Sequence, residues 1–423
     1  MQPWFIPMFY VSGAVVGGLA LPRIEQAYLS SYALALSVAS AQALLSAAAS
    51  GMMALTGIVF AMAFVMVQFS AIAYSPRLVL WFARDRTLFH ALGAFTATFI
   101  YALFTLAWVD RGGSAKVPLF SMWLVGIMII VSMLLFSRLM QRLGDLQIGN
   151  VLHLLGDQGR AVIGEMFRGP DDASAAAHPA KGRASTARLG HVTQTVKYVG
   201  KPRTVAKLDV DSLVTLAREA RGTIVMACAV GDTLVEGSGL LHVHDSGTPL
   251  PEDALRRAVH LERERTFEQD PKYPIRLLVD IAIKALSPAI NDPTTAVQTI
   301  DQLEDLLRRL GAAELDAGYA VDESGALRLL FPMPTWEDYL SLAFDEIRHF
   351  GSNSVQVMRR MRSALVGLAE SMPSQERVET VRRYLEHLDR VIGASPFDVE
   401  DKRMARQEDR QGIGLSRRQS DAT

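Results

Sequence analysis

The chain has 423 residues, half of them hydrophobic (50%), and its 43 basic and 44 acidic residues leave a formal net charge of −1. This balance, without a basic run interleaved with aromatic residues, argues against a nucleic-acid-binding protein. Cys228 is the single cysteine, which excludes an internal disulfide and a multi-cysteine metal site. Charge is sparse up to about Leu143 and dense afterwards, which predicts a membrane region followed by a soluble one.

Four apolar segments in residues 1–143 are long enough to cross a bilayer, which requires about 20 mostly apolar residues. They cover about Trp4–Leu21, Gly51–Ala73, Leu88–Trp108 and Pro118–Phe136. The Ala- and Ser-rich stretch Tyr32–Ser50 is interpreted as a helical extension outside the membrane. No Asp, Glu, Lys or Arg lies within these bounds, and this argues against a proton-coupled transporter.

A few polar residues interrupt the apolar spans. Gln68 lies in the second span, and Thr98 and Thr105 share one face of the third because they are seven residues apart. Such hydroxyls suit either a pore lining or hydrogen bonds between helices, and helix packing is the favoured interpretation. A Gly-x-x-x-Gly pattern at Gly13 and Gly17 predicts close approach of another helix.

The distribution of Lys and Arg predicts the orientation of the spans. One side carries Arg77, Arg84, Arg86, Arg138 and Arg142, whereas the other carries Arg23, Arg111 and Lys116. Because cytoplasmic loops are enriched in basic residues, both termini and the soluble region are expected in the cytoplasm.

Residues 144–190 are predicted to form a membrane-proximal helix and an Ala/Ser/Gly/Pro-rich linker, and residues 191–250 a small β unit. Its expected strands are Val192–Val199, Thr204–Leu208, Thr223–Val230 and Leu240–His244. Residues 231–243 read Gly-Asp-x-x-Val-x-Gly-x-Gly-Leu-Leu-x-Val, which resembles the barrel-sandwich turn of lipoyl and biotinyl carrier domains. The modifiable Lys of those carriers is missing from this stretch, so the resemblance implies a shape without carrier chemistry. A generic small β-barrel is the alternative.

Residues 251–394 are predicted to be mostly helical, and residues 395–423 to form a polar, disordered tail. The expected helices are Pro251–Glu264, Pro274–Leu286, Pro293–Leu310, Thr335–Phe350, Ser352–Glu370 and Pro373–Ile392. The predicted fold class is therefore an α-helical membrane protein with four transmembrane helices, followed by an α+β cytosolic domain made of a small β-barrel-like unit plus helices.

The most unusual segment extends from Arg265 to Ala296. Asp280 and Lys284, four residues apart, place an acid and a base on one helix face, and Asp292 before Pro293 is typical of a helix N-cap. The favoured interpretation is a buried polar network that orders this segment, and the alternative is a ligand or anion site at a helix N-terminus. The candidate residues are Arg265, Gln269, Asp270, Asp280, Lys284, Ser287, Asn291 and Asp292.

His242 and His244 lie on one face of a predicted strand, as the first two ligands of a metal site would. Two ligands are too few, and His191 and His260 are the nearest additional candidates, so no metal is expected. The sequence has no Gly-rich phosphate loop, G-x-S-x-G, H-E-x-x-H or C-x-x-C motif. We therefore expect no catalytic residues, no cofactor and no enzymatic activity.

Four segments together resemble the bacterial predicted membrane proteins grouped as domain-of-unknown-function family 2254. They are Ser75-Pro76-Arg77, Leu92-Gly93-x-Phe95-x-x-x-Phe99-x-Tyr101, Arg265-Thr266-x-x-Gln269-Asp270 and the stretch from Asp280 to Ala296 containing Ser287-Pro288-x-x-Asn291-Asp292-Pro293. The likeness covers about Trp4 to Arg390. It implies a multi-pass protein of the bacterial plasma membrane with four spans and a cytosolic domain, and it implies no activity.

Three functions are compatible with these features. The favoured one is an oligomeric channel gated by the cytosolic domain, because four uncharged spans are too few for most single-chain carriers. The alternative is a non-conducting sensor or scaffold whose cytosolic domain binds a ligand or protein partner. A membrane-bound enzyme is the least expected. The predicted partners are the lipid bilayer and further copies of the chain, with no nucleic acid and with an unidentified small-molecule ligand.

Overall fold

The computed structural model describes residues 5–28, 37–73, 86–111, 117–144, 147–167, 189–315 and 318–414. The chain divides into two compact units, here called the membrane unit (Met1–Val151) and the second unit (Leu152–Thr423). Several sequence predictions fall outside the described residues: the positions of Arg77, Arg84 and Lys116, the segment Ser75-Pro76-Arg77, most of the linker, and residues 415–423.

The membrane unit consists of four long helices: α1 (Phe5–Tyr28), α2 (Val38–Ala73), α3 (Arg86–Leu106) and α4 (Leu119–Gly144). Each is long and apolar enough to cross a membrane, over Phe5–Glu25, Val38–Val65, Arg86–Leu106 and Leu119–Arg142, respectively. Helix α3 contacts each of the other three helices. Its small and aromatic residues, including Ala91, Ala94, Phe95, Ala97 and Tyr101, are buried at these contacts. The prediction of four apolar N-terminal helices is confirmed.

The Ala- and Ser-rich stretch belongs to this helix packing. Residues 38–73 form one continuous helix, and the predicted extension contributes the buried residues Ala41, Leu45 and Ala49 to the same hydrophobic cluster as Ala97 and Ala102 of α3. The predicted helix is confirmed, but its placement outside the second span is corrected, because the candidate span covers Val38–Val65. Small side chains allow helix backbones to approach closely, which is what an Ala-rich face provides.

Glycine contacts between α1 and α3 differ from the predicted Gly-x-x-x-Gly pair. A Cβ atom on Gly13 would meet nothing within 4 Å, whereas one on Gly18 would lie 2.7 Å from Cβ of Phe104. On the other helix, a Cβ on Gly93 would lie 2.8 Å from the ring of Tyr10. Gly18 and Gly93 are therefore the positions where these two helices require the absence of a side chain.

The second unit mixes helices and strands. After α5 (Ile148–Met166), which begins in the membrane unit, come β1 (Val192–Lys197), β2 (Arg203–Leu208), α6 (Val210–Glu219), β3 (Thr223–Met226), β4 (Thr233–Leu234), β5 (Gly239–His244), α7 (Glu252–Arg257) and β6 (Val259–Glu262). They are followed by α8 (Lys272–Ala285), α9 (Pro293–Ala312), β7 (Tyr319–Val321), β8 (Leu327–Leu330), α10 (Trp336–Phe350), α11 (Val355–Ser371), α12 (Gln375–Ala394) and α13 (Val399–Ala405).

The strands form two sheets, and within the described residues neither closes into a barrel. One sheet has the order β1-β5-β3-β8-β7 and the other β4-β2-β6. Strand β3 pairs in parallel with β8, about a hundred residues further along the chain, with Ile224 opposite Leu329. The predicted barrel-like unit is therefore corrected to two open sheets. Because β6, β7 and β8 lie beyond residue 250, the predicted boundary there does not separate two packing units.

Residues 259–262 were predicted to be helical and instead form β6. This strand pairs antiparallel with β2, placing Val259 opposite Leu208 and Leu261 opposite Val205. Helix α7 stops at Arg257, since Val259 is buried in the core that also contains Leu208, Leu213 and Leu255. Pairing with a distant strand outweighs the local helical pattern of the flanking residues.

The later helices agree with their predicted positions within a few residues. Helices α8, α9, α10 and α11 share an apolar interior containing Leu277, Ile281, Ile300, Leu303, Leu307, Leu340, Phe344, Met361 and Leu365. The predicted disorder after residue 395 is wrong for residues 395–414. Helix α13 lies in this stretch, and the buried Asp409 carboxylate accepts backbone hydrogen bonds from Gly412 (2.8 Å) and Gly414 (2.6 Å).

Candidate functional site

The two threonines predicted to line a pore or to hold helices together lie inside the membrane unit. Thr98 and Thr105 are 1% and 0% exposed. Thr98 Oγ1 donates to the Ala94 carbonyl at 2.7 Å and lies 3.2 Å from Oγ of Ser132 on α4. Thr105 Oγ1 donates to the Tyr101 carbonyl at 2.9 Å. Both hydroxyls are thus bonded within one chain. Each donates to a carbonyl of its own helix, and the Thr98–Ser132 contact also links α3 to α4.

A buried carboxylate that the sequence analysis placed outside the spans joins α1 to α4. Glu25 is 7% exposed. Its carboxylate accepts hydrogen bonds from the backbone N–H of Phe120 (2.8 Å), the N–H of Ser121 (3.1 Å) and the Ser121 hydroxyl (3.0 Å). The first N–H groups of a helix have no partner inside the helix and carry partial positive charge. Glu25 therefore caps α4 from a neighbouring helix.

The expectation that the spans lack Asp, Glu, Lys and Arg does not hold for the observed bounds. The third candidate span begins at Arg86, and the fourth includes Arg138 and Arg142 near its end. Helix α1 passes through Pro22 and ends at Tyr28, so its candidate span includes Arg23 and Glu25. One sequence signal for this site exists: Glu25 is the only acidic residue before Asp85. An isolated acid beside an apolar segment is a candidate for an intramembrane role.

Arg265 and Asp270 of the unusual segment form an ion pair that packs against the turn at Gly231. Asp270 is 1% exposed and accepts hydrogen bonds from Nε and Nη2 of Arg265. The pair lies against Gly231, where φ is +90° and a Cβ would come within 2.5 Å of Nη2 of Arg265. Lys272 Nζ donates to the Val230 carbonyl at 2.9 Å. The segment therefore holds this turn in place.

Gln269 attaches the same segment to strand β2. Its side chain accepts from the Leu208 N–H (3.0 Å) and donates to the Leu208 carbonyl (3.2 Å), as a paired strand residue would. Its backbone has a φ of +50°, an unfavourable conformation for a residue other than glycine. The two hydrogen bonds to Leu208 offset the free-energy cost of that backbone conformation.

Asp280 takes part in an ion-pair chain that extends to α10. Arg276 Nε donates to Asp280 at 2.7 Å, and its Nη1 donates to Glu346 at 2.5 Å. The bond to Glu346 is the largest influence that raises the pKa of the Arg276 guanidinium. Burial lowers the pKa of Lys284, one turn further along α8. Arg276 was missed although its i, i+4 spacing to Asp280 is a local signal, whereas Glu346 lies 70 residues from Arg276 and leaves no local pattern.

The loop between α8 and α9 is organised by its own backbone. The N–H groups of Ile290 and Asn291 both donate to the Ser287 carbonyl, and Asn291 has a φ of +49°, which asparagine tolerates better than most residues. The Asp292 carboxylate accepts from the Thr295 N–H (3.1 Å) and hydroxyl (2.6 Å). The predicted N-cap at Asp292, with Pro293 in the first turn of the helix, is confirmed.

Replacing Asp292 with alanine should lower the free energy of unfolding by about 1 kcal/mol, because α9 loses its N-cap. Thermal unfolding of the detergent-solubilised protein measures this change. The exposed Thr294, two residues further on, provides the control variant T294A, which should unfold like wild type. Equal effects of the two variants would rule out a specific capping role for Asp292.

The two strand histidines already have polar neighbours. Nδ1 of His242 lies 3.1 Å from Oγ1 of Thr195, and Nδ1 of His244 lies 3.0 Å from the Gly190 carbonyl oxygen. In the part of the chain that the structure describes, no group of three or more His, Cys, Asp or Glu side chains is arranged to hold a metal ion.

A polar cleft of about 310 Å³, missed in the sequence analysis, is lined by α10 and α12. Its basic and phenolic lining consists of Arg348, Arg383, Tyr384, His387 and Arg390. Glu337 and Asp345 of α10 also contribute. The sequence signal is a stripe on α12, since positions 383, 387 and 390 recur at the i, i+4 and i+7 spacing of one helix face.

Arg348 lies at the inner side of this cleft. Its Nη2 donates to Asp345 at 3.0 Å and its Nη1 donates to Nε2 of His387 at 3.2 Å, while its buried Nε has no hydrogen-bond partner. The second bond requires His387 to be neutral, because Nε2 must accept. Burial, then Arg348 and Arg390, lower the pKa of His387. Burial and the nearby Asp345 raise the pKa of Tyr384 to about 12.

The other two arginines of the cleft are poorly neutralised. Arg383 Nη2 lies 3.4 Å from the exposed Glu337 carboxylate, a long contact between two exposed side chains. Arg390 is exposed, and no carboxylate of a described residue forms an ion pair with its guanidinium. Long exposed ion pairs contribute little to stability. Arg383 Nη2 also donates to the Thr380 hydroxyl at 3.3 Å, which does not neutralise its charge. The cleft therefore keeps positive charge that close carboxylates do not balance.

Comparison with known proteins gives the membrane unit and the unusual segment a family context. Proteins named as uncharacterized in Mycobacterium bovis and Mycobacterium tuberculosis are each 26% identical to this chain over 417 residues, covering 95% of this chain and 78% of theirs. No solved structure matches the chain. Residues 2–366 match the family described as Predicted membrane protein (DUF2254). This match includes all four candidate spans and the segment from Arg265 to Ala296, and the chain therefore belongs to the DUF2254 family of predicted membrane proteins.

Proposed function

We propose that the protein is a membrane-anchored binding protein, in which the four helices hold the chain in a bilayer without conducting and the second unit binds a ligand. The observation that supports this proposal most directly is the inward position of Thr98 and Thr105. A pore between copies of the chain would need polar side chains on the outer surfaces of the helices. The two threonines are buried and bonded within a single chain.

The outer surfaces of the four helices support the same proposal. They expose many large apolar side chains, as lipid contact requires, and these include Val16, Leu44, Phe60, Phe64, Ile127, Ile130 and Leu134. Gln68 is the predicted polar position that lies on an exposed face. An amide in that position suits a hydrogen bond to a neighbouring helix. Assembly into a homo-oligomer, the bacterial plasma membrane and a cytoplasmic second unit stay predictions.

Reconstitution into liposomes tests the proposal. We expect ion flux no greater than in protein-free liposomes under applied voltage, pH gradients or membrane tension. The variants T98V and T105V, which keep the side-chain shape and remove the hydroxyl, should behave like wild type. A flux that either variant changes would overturn the proposal and restore the oligomeric channel, whose subunit number light scattering in detergent would then measure.

A further inference from the structure

The cleft between α10 and α12 has an imbalance of charge that the fold does not require. Three guanidinium groups face two carboxylates, and with His387 neutral this leaves one net positive charge. Asp345 is already engaged by Arg348 and by the Ser341 hydroxyl at 2.6 Å. The remaining positive charge and the buried Nε of Arg348 therefore lack an acceptor.

Helix geometry places the basic groups in a row. Arg383 and Arg390 are seven residues apart, which separates their Cα atoms by about 10 Å along the helix axis. His387 lies between them on the same face, and Tyr384 adds a phenolic hydroxyl. Long arginine side chains on either side of an imidazole can converge on one anion, and guanidinium groups bind phosphate oxygens through paired hydrogen bonds.

We propose that this cleft is a binding site for a phosphate group, held by Arg383 and Arg390 with His387 and Tyr384 between them. A volume of about 310 Å³ accommodates a phosphate or a small phosphate ester. The source of the phosphate is either a soluble phosphate compound or the headgroup of an anionic lipid. This proposal rests on the proposed function, in which the second unit is the part of the protein that binds a ligand.

Bound phosphate should be coupled to protonation of His387. The imidazole faces Arg348 and Asp345 of α10 and has Arg390 on its own helix, while Arg362 of α11 is engaged by Asp389 at 2.5 Å. In the free protein burial, together with the cationic Arg348 and Arg390, lowers the pKa of His387 and favours the neutral imidazole. A bound dianion favours the imidazolium, so binding takes up a proton and affinity rises as the pH falls.

Isothermal titration of the full-length protein in phosphatidylcholine nanodiscs at low ionic strength, with inorganic phosphate as the probe, tests the site. We expect R383Q and R390Q each to weaken binding about tenfold, the effect of losing one charge-assisted hydrogen bond. Both side chains are exposed, so neither substitution should affect folding. The matched control is R382Q, since Arg382 is the adjacent residue, is 58% exposed and lies outside the cleft.

A second titration with sulfate separates protonation of the protein from that of the probe, because sulfate keeps both negative charges between about pH 5 and 8. Wild type should bind sulfate more tightly towards the acidic end of this range. The variant H387Q should bind with an affinity that no longer depends on pH. A pH dependence that persists unchanged in H387Q would overturn the assignment of the imidazole.

The two sources of phosphate are distinguished by adding a lipid arm. Native mass spectrometry of protein from nanodiscs containing phosphatidylglycerol reports retained lipid. Loss of lipid retention in R383Q and R390Q supports a headgroup site, and loss of inorganic phosphate binding supports a soluble ligand. If R383Q and R390Q change neither phosphate binding nor lipid retention, or if R382Q weakens binding equally, the proposed site does not exist. These measurements do not depend on ion flux, so their outcome does not decide whether the four helices conduct ions.

Discussion

Replacing Glu25 with alanine is expected to lower the stability of the membrane unit by about 3 kcal/mol, the value of losing hydrogen bonds to a buried charged acceptor. The substitution leaves the N–H groups of Phe120 and Ser121 and the Ser121 hydroxyl without their acceptor at the buried start of α4. Because Glu25 is only 7% exposed, water does not readily replace that acceptor. Unfolding by sodium dodecyl sulfate in mixed micelles measures the change.

Two variants distinguish this capping role from a general effect of charge. E25Q keeps one carbonyl oxygen as an acceptor and should lose clearly less stability than E25A. R23Q removes a charge two residues away, where the exposed Arg23 guanidinium lies 5.4 Å from the ring centre of Trp108, and should cost about 1 kcal/mol or less. An E25A protein as stable as R23Q would show that Glu25 is not a structural cap and would favour a role in transport.

Replacing Asp270 with alanine should destabilise the second unit by about 2–3 kcal/mol, because the Arg265 guanidinium, whose side chain is 30% exposed, loses two hydrogen bonds to a buried carboxylate. Asp270 accepts two hydrogen bonds from Arg265, and the pair lies against the turn at Gly231. Urea unfolding of the detergent-solubilised protein, followed by circular dichroism, measures the change.

The neighbouring Glu268 supplies the control. It is exposed, so E268Q should unfold like wild type. The double variant R265A/D270A removes both charges and should recover part of the stability lost in D270A, since no unpaired, partly buried guanidinium remains. If D270A and E268Q unfold alike, the pair does not stabilise the fold, and Asp270 would then be examined as a ligand-binding residue.

The most distinctive polar residues of this chain stabilise its fold. Glu25 joins two helices of the membrane unit, and the segment from Arg265 to Lys272 joins the first turn of the helical region to the sheets. Polar groups that are already hydrogen-bonded within the fold are poor candidates for ligand binding. The cationic groups between α10 and α12 remain incompletely paired, which is why the proposed ligand site lies there.

Several elements of this protein follow from the sequence alone, because their causes lie within a few residues. Long uninterrupted apolar segments determine the four N-terminal helices, which are long and apolar enough to cross a membrane. Side-chain periodicity and capping determine α9 and α10, where Asp292 and Thr335 accept hydrogen bonds from the first helical turn. The family resemblance likewise rests on short local segments, and the match over residues 2–366 confirms it.

Other features were decided only by tertiary structure, because they depend on residues far apart in the chain. Val259–Glu262 forms a strand since β2 offers it a partner, and β3 joins β8 across about a hundred residues. Glu25 is buried because the start of α4 lies beside it, and Arg276 reaches Glu346 on another helix. Periodicity reports which face of an element is apolar, but the partner of that face depends on packing between distant segments. The cleft between α10 and α12 arises from the same long-range packing.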